Sequence, residues 1–132
     1  MVRVYSYPEY RLVIPGKAAS FRTNSSLEFK MRIRRYAKKV FKSILRGGEM
    51  EIRIDYFHCR KRNFDMDNVA KAVIDALSKI AFYDDKQARL QSAEGHWLGG
   101  GYVVYNGPLD LIKPLRKYDE YTFIRIRHII RN

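Results

Sequence analysis

Apolar residues recur every third or fourth position over residues 33–45, which is the spacing of a helix with one buried side. Ser25 and Glu28 stand in front of this segment with the spacing of a capping box. Gly47 follows it, and glycine commonly terminates a helix. The pattern therefore predicts an amphipathic helix from Ser25 to about Gly47.

A second apolar segment, residues 69–80, has few polar positions and begins just after Asp67. We expect a second, almost wholly packed helix here, capped by Asp67 or a neighbour and ending near Ile80. Residues 50–58 alternate between apolar and polar side chains, which indicates a half-buried strand. Further strands are predicted at 2–7, 10–14, 88–97, 102–105 and 121–130, with a loop at 106–120.

This order of elements predicts a small α+β domain with a mixed β-sheet and two principal helices. At 132 residues the chain is expected to form one domain, residues 1–132. The single Cys59 excludes an intrachain disulfide. No apolar run approaches the roughly 18 residues that span a bilayer, and the first residues lack the pattern of a signal peptide. We therefore predict a cytoplasmic protein with no membrane partner.

The net charge is +12, from 26 Lys and Arg against 14 Asp and Glu. Such a charge favours binding to nucleic acid, because phosphate neutralisation releases counterions, and an anionic membrane is the second choice. The candidate contacts to the DNA backbone lie on the outer face of the first helix and in the loop before the second. They are Arg35, Lys38, Lys39, Arg60, Lys61 and Arg62. A solvated helix face and an exposed loop are the plain alternatives.

Acidic residues are scarce and concentrated between Asp65 and Asp85. Three converging carboxylates can bind Mg²⁺ and leave positions for water and phosphate oxygens. Convergence requires Asp85, at the far end of the second helix, to return to Asp65 and Asp67. The alternative is structural: these carboxylates cap the helix, and Lys71 forms surface pairs along it.

The acidic segment contains four pieces in a fixed order: Asp65-Met66-Asp67-Asn68, Lys71, Asp75-Ala76-Leu77 and Asp84-Asp85-x-Gln87. Together they resemble the signature of the RusA-type Holliday junction resolvases, endonucleases of bacteria and phages. The resemblance implies a RusA-like α+β homodimer that nicks two strands of a four-way DNA junction symmetrically. It also implies a divalent cation, Mg²⁺ with Mn²⁺ as a substitute.

By position, the resemblance implies that Asp65, Asp67 and Asp85 bind the metal and that Lys71 is the catalytic lysine. The remaining matches are assigned to the surroundings of the site or to structure: Asn68, Asp75, Asp84 and Gln87. Two other functions stay open, a non-catalytic DNA-binding or architectural protein and a metal nuclease for another branched or duplex DNA. A zinc site is not expected, because the chain has no paired Cys or His spacing.

Overall fold

The computed structural model describes residues 3–5, 9–19, 26–45, 48–59, 65–100 and 107–131. The strands in these ranges are β1 (Arg3–Tyr5), β2 (Tyr10–Pro15), β3 (Glu49–His58), β4 (Ala88–Trp97) and β5 (Tyr121–Arg131). The α-helices are α1 (Ser26–Val40) and α2 (Met66–Leu77). Short 3-10 helices occupy Asp85–Gln87, Leu98–Gly100 and Leu109–Arg116.

The strands form one mixed sheet in the order β1–β5–β3–β4. β1 and β2 pair with successive parts of β5, so that Tyr5 lies opposite Ile129 and Tyr10 opposite Ile126. β5 runs antiparallel to β1, β2 and β3, whereas β3 and β4 are parallel. The predicted α+β class, with a mixed sheet and two principal helices, is therefore confirmed.

Both helices pack on one face of the sheet, because alternate residues of β3 supply an apolar surface there. These residues are Met50, Ile52, Ile54 and Tyr56, all buried. α2 contributes more to the core than α1 does. Its buried residues are Val69, Ala70, Ala72, Val73, Ile74, Ala76 and Leu77. Truncating a fully buried side chain such as Leu77 to alanine is expected to cost roughly 2–5 kcal/mol of unfolding free energy.

α1 is shorter than predicted: it ends at Val40 and does not reach Gly47. The backbone N–H of Leu45 donates to the oxygen of Ala81 at 2.8 Å, which draws this segment toward the chain after α2. A tertiary contact has therefore replaced the last predicted turns of the helix. Ser25, the expected capping residue, lies outside the described residues.

The predicted loop at 106–120 contains the 3-10 helix Leu109–Arg116. Its Ile112 packs against a small apolar cluster around Phe57, on the sheet face that the α-helices leave open. Two prolines and several charges in this segment obscured the apolar positions that make this contact. The strand predicted at 102–105 lies outside the described residues.

Candidate active site

The N-terminal end of α2 carries two of the predicted metal ligands. Asp65 is the N-cap, and its Oδ1 accepts a hydrogen bond from the backbone N–H of Asn68 at 3.2 Å. The Nδ2 of Asn68 also donates to Asp65 Oδ2, at 2.6 Å. Asp67 lies in the first turn, and both carboxylates are exposed. The partial positive charge of a helix N-terminus favours carboxylates at this place.

Lys71 and Asp75 lie further along α2, and both are exposed. Lys71 follows Asp67 by one helical turn, so the two lie on the same side of the helix. Asp75 faces α1, where its Oδ2 lies 3.0 Å from Lys30 Nζ and 3.9 Å from Arg34 Nη2. Asp75 therefore connects the two helices.

Asp84, Asp85 and Gln87 lie together in the turn before β4, which begins with a capping box. Asp84 Oδ1 accepts from the backbone N–H of Lys86 at 2.9 Å, and Gln87 Oε1 accepts from that of Tyr83 at 2.8 Å. The N–H of Lys86 lowers the pKa of Asp84, whereas a side-chain hydrogen bond with Asp84 raises the pKa of Asp85. The two exposed carboxyl groups therefore interact directly with each other.

The two acidic groups lie at opposite ends of α2. Because β3 and β4 are parallel, the connecting helix must return from the carboxyl edge of β3 to the amino edge of β4. Met66 accordingly lies beside Gly95 near the end of β4, with its Sδ 3.5 Å from the position of a Cβ on that glycine. Asp85 instead precedes Ala88, which pairs with Met50 at the start of β3.

The 12 residues of α2 separate these ends by about 18 Å, at 1.5 Å per residue. One chain therefore does not bring Asp85 to Asp65 and Asp67, contrary to the convergence expected from the sequence. The physical reason is the parallel β3–α2–β4 connection, which sequence order alone does not reveal.

Another group of potential metal ligands lies on the sheet face opposite the α-helices. Among the described residues, Asp55, Glu94 and His96 offer ligand atoms that all lie within 4.8 Å of one another. His96 Nε2 lies 2.8 Å from Asp55 Oδ1, and Arg125 Nη2 donates to Asp55 Oδ2 at 3.1 Å. Asp55 and His96 are buried, and Glu94 is exposed. This donor set could bind a metal ion, and Arg125 already gives the buried carboxylate a cationic partner.

The sequence analysis did not find this group, because its members come from adjacent strands. Asp55 lies on β3 opposite Glu94 of β4, and His96 follows Glu94 at the next position on the same face. Spacing along the chain therefore gave His96 no partner. The alternation of β3 predicted only that Asp55 lies on the side of the strand away from the main core. This was the one feature of the sequence that pointed toward the group.

The candidate DNA contacts on α1 form an exposed basic surface. Arg35, Lys38 and Lys39 are all exposed. Arg35 Cζ and Lys39 Nζ lie 5.7 Å and 5.5 Å from the ring centroid of Tyr36, so both cations lie close to one aromatic ring. Arg60–Arg62 lie outside the described residues.

A basic α+β domain is suited to binding nucleic acid, and its exposed carboxylates offer oxygen atoms of the kind that divalent cations accept. The family model for endodeoxyribonuclease RusA matches residues 8–102, well over half of the chain. The protein therefore belongs to the RusA endodeoxyribonuclease family, and the resemblance seen in the sequence is confirmed. Membership supports a DNA-binding endonuclease that acts on Holliday junctions.

A search among curated proteins gave no match. Of the helices that the structure describes, none has the length and apolar character to cross a membrane.

Proposed function

We propose that this protein is a Mg²⁺-dependent endonuclease that resolves four-way DNA junctions by paired symmetric nicks and works as a homodimer. The observation that carries the proposal is the family match, which includes the whole acidic segment from Asp65 to Gln87. Mn²⁺ is expected to substitute for Mg²⁺, because both ions accept carboxylate and water ligands.

The proposed metal ligands are Asp65, Asp67 and Asp85, which offer the oxygen donors that Mg²⁺ prefers. The ion, when bound, supplies Lewis-acid stabilisation of the phosphate and lowers the pKa of a bound water. Lys71, one turn from Asp67, is proposed to stabilise the negative charge that develops on the phosphate during cleavage. Asn68 supports this arrangement by fixing the Asp65 carboxylate.

Since one chain separates these ligands by the length of α2, we propose that two chains complete each site. In a two-fold symmetric dimer, the Asp65 end of one α2 would meet the Asp85 end of the other, and symmetry would repeat this contact. Each dimer would thus hold two identical sites. Two sites suit a junction that is resolved by a pair of opposed nicks.

Binding to the junction is proposed to rest mainly on phosphate contacts. Arg35, Lys38 and Lys39 would contribute from α1, and Arg60–Arg62, which precede Asp65 by three to five residues in the sequence, are proposed to contribute as well. Such contacts can be counted from the salt dependence of DNA affinity. Each phosphate contact steepens the fall of log affinity with log salt concentration by about 0.9.

The test is cleavage of a synthetic four-way junction in the presence of Mg²⁺. We expect paired nicks from the wild-type protein, and none from Asp67→Asn, whose junction binding should persist because the substitution leaves the basic residues in place. Leu109→Ala, a change at an exposed residue of the 3-10 helix Leu109–Arg116, is the control and should cleave normally. Binding by the wild-type protein without cleavage in Mg²⁺ or Mn²⁺ would instead favour an architectural protein.

A further inference from the structure

A polar cavity of about 430 Å³ lies on the sheet face opposite the α-helices. Charged side chains of three strands line it, among them Asp55 of β3, Glu94 of β4 and Arg125 of β5. His96 adjoins it, since its Nε2 lies 2.8 Å from Asp55 Oδ1. Burying charged groups is costly unless each has a partner, so the way these groups pair indicates what the cavity can hold.

The ligand atoms of Asp55, Glu94 and His96 are close enough to share one ion. All of them lie within 4.8 Å of one another. Two atoms bound to the same Zn²⁺ can be up to about 4.3 Å apart, which is twice a typical bond length from zinc to nitrogen or oxygen. Glu94 is exposed, so its side chain can make the small remaining shift without disturbing the core.

The Asp55 carboxylate is already oriented for such a role. Arg125 Nη2 donates to Oδ2 at 3.1 Å, whereas Oδ1 faces the His96 ring. Carboxylates that bind metals are usually held by an outer hydrogen bond of this kind. A metal ion would replace the proton between Asp55 Oδ1 and His96 Nε2, and that proton would pass to the other ring nitrogen or to solvent.

Arg125 gives a second, independent indication of a ligand. Its side chain is only 7% exposed, and no described residue accepts a hydrogen bond from its Nε. A buried donor is unfavourable unless an acceptor reaches it. Three protein ligands leave a coordination position of Zn²⁺ open, and a water or anion bound there would supply the acceptor.

The charges around the cavity favour a cation over an anion as its occupant. Arg53, the other basic residue of the lining, lies 3.3 Å from Glu51 and is balanced by it. Arg125 then stands against the two carboxylates of Asp55 and Glu94. A lone anion would be repelled by both carboxylates, whereas a divalent cation neutralises them.

We propose that Asp55, Glu94 and His96 bind a first-row transition-metal ion of the Zn²⁺ type. Arg125 Nε donates to the water or anion that completes the coordination of this ion. The imidazole nitrogen favours such an ion over Mg²⁺, which prefers oxygen ligands. The site is therefore distinct, in position and in ligand chemistry, from the proposed Mg²⁺ ligands at the ends of α2.

The role of this ion is structural. It joins β3 to β4 through side chains, next to the backbone pairing of the two strands. Gly95, which lies between Glu94 and His96 in the sequence, contacts Met66 at the start of α2 on the other face of the sheet. The bound ion thus stabilises the part of the sheet on which the N-terminal end of α2 rests.

Calorimetric titration with Zn²⁺ tests the site, in excess Mg²⁺ so that sites made only of oxygen ligands are occupied. Glu94→Gln is the decisive variant, because it removes the charge of one ligand at an exposed position where folding should not suffer. Glu28→Gln makes the same change at an exposed residue of α1 and is the matched control. We expect one Zn²⁺ per chain in the wild type and in Glu28→Gln, and an affinity weaker by at least roughly 10- to 100-fold in Glu94→Gln.

Urea unfolding gives a second measurement on the same three proteins. Saturating Zn²⁺ should raise the midpoint of the wild type and of Glu28→Gln, because the ion binds the folded chain, in which the three ligands meet. The midpoint of Glu94→Gln should rise much less at the same Zn²⁺ concentration.

Equal Zn²⁺ affinity in the wild type and Glu94→Gln would overturn the inference, because the ion would then lie elsewhere. Absence of Zn²⁺ binding by the wild type would overturn it as well. A third contrary result is a midpoint raised by inorganic phosphate without Zn²⁺, at least as much in Glu94→Gln as in the wild type. The cavity would then be an anion site around Arg125. Junction cleavage tests the proposed function separately from all these outcomes.

Discussion

The two ends of α2 carry the same kind of side chain and are stabilised in different ways. At the N-terminal end, Asp65 is held by Asn68, three residues further along the chain. At the other end, the turn that carries Asp85 is held by Gln87, whose Nε2 donates to the backbone oxygen of Leu45, 42 positions away. The first arrangement is local, whereas the second requires the folded chain.

Because of this difference, a sequence signature does not by itself show that its residues form one site. A signature places residues along the chain, and the path of the chain decides whether they meet. A helix that joins two parallel strands spans the sheet from edge to edge, so acidic residues before and after it are kept apart. If they serve one ion, as we propose, a second copy of the chain must bring the other end.

The largest expected effect is the return of cleavage activity when the substitutions at the two ends of α2 are placed on different chains of one dimer. Asp67→Asn and Asp85→Asn should each be inactive alone. In a mixed dimer, one site would contain both substitutions and the other would contain none, so activity should return in half of the sites. Co-expression with two different tags isolates the mixed dimer, and a labelled junction should show single nicks in place of paired nicks.

The matched control mixes two substitutions from the same end, Asp65→Asn and Asp67→Asn. Every site of that dimer would carry one substitution, so no activity should return. If mixed dimers of Asp67→Asn and Asp85→Asn form and remain inactive on the junction, ligands from the two ends do not share an ion across the dimer.

A smaller effect is expected from the residues that hold each end. Gln87→Ala removes the acceptor for the backbone N–H groups of Tyr83 and Asp84, and it should cost roughly 1–2 kcal/mol of unfolding free energy. Asn68→Ala should cost less, about 0.5 kcal/mol, because the backbone N–H of residue 68 still donates to Asp65. Urea unfolding of the two variants measures the difference, and equal costs would show that Gln87, including its hydrogen bond to the backbone oxygen of Leu45, stabilises its end no more than Asn68 stabilises the other.

Patterns within one element predicted much of the fold. The alternation in residues 50–58 predicted β3 and its side that faces the α-helices, and the apolar run after Asp67 predicted α2. The prediction that β3 is only half-buried was wrong, because Glu51, Asp55 and Phe57 on its other side are buried as well. The boundaries of α2 differ from the predicted ones: the helix is capped by Asp65, a neighbour of Asp67, and it ends at Leu77, three residues before the predicted end. The backbone of Lys79 then adopts a φ of 72°, which a helix does not permit.

Contacts between distant segments set the features that patterns missed. α1 ends early because Leu45 pairs with the chain after α2, and the Asp55–Glu94–His96 group exists because β3 and β4 pair in one register. The segment after residue 102, which the family match does not include, supplies β5, a strand that pairs with β1, β2 and β3. The acidic segment could thus be recognised from sequence, but its three-dimensional layout could not.

Asp75 offers the smallest and most specific test, because it belongs to the signature and lies between the two ends. Its carboxylate is partly exposed and faces Lys30 and Arg34 of α1. Asp75→Asn should therefore cost about 0.2–1 kcal/mol of unfolding free energy, as expected for exposed ion pairs, and that cost should shrink in high salt. Junction cleavage at a temperature well below unfolding should remain within a few-fold of wild type. A complete loss of cleavage in a stably folded Asp75→Asn protein would place the reacting centre along α2 and not at its ends.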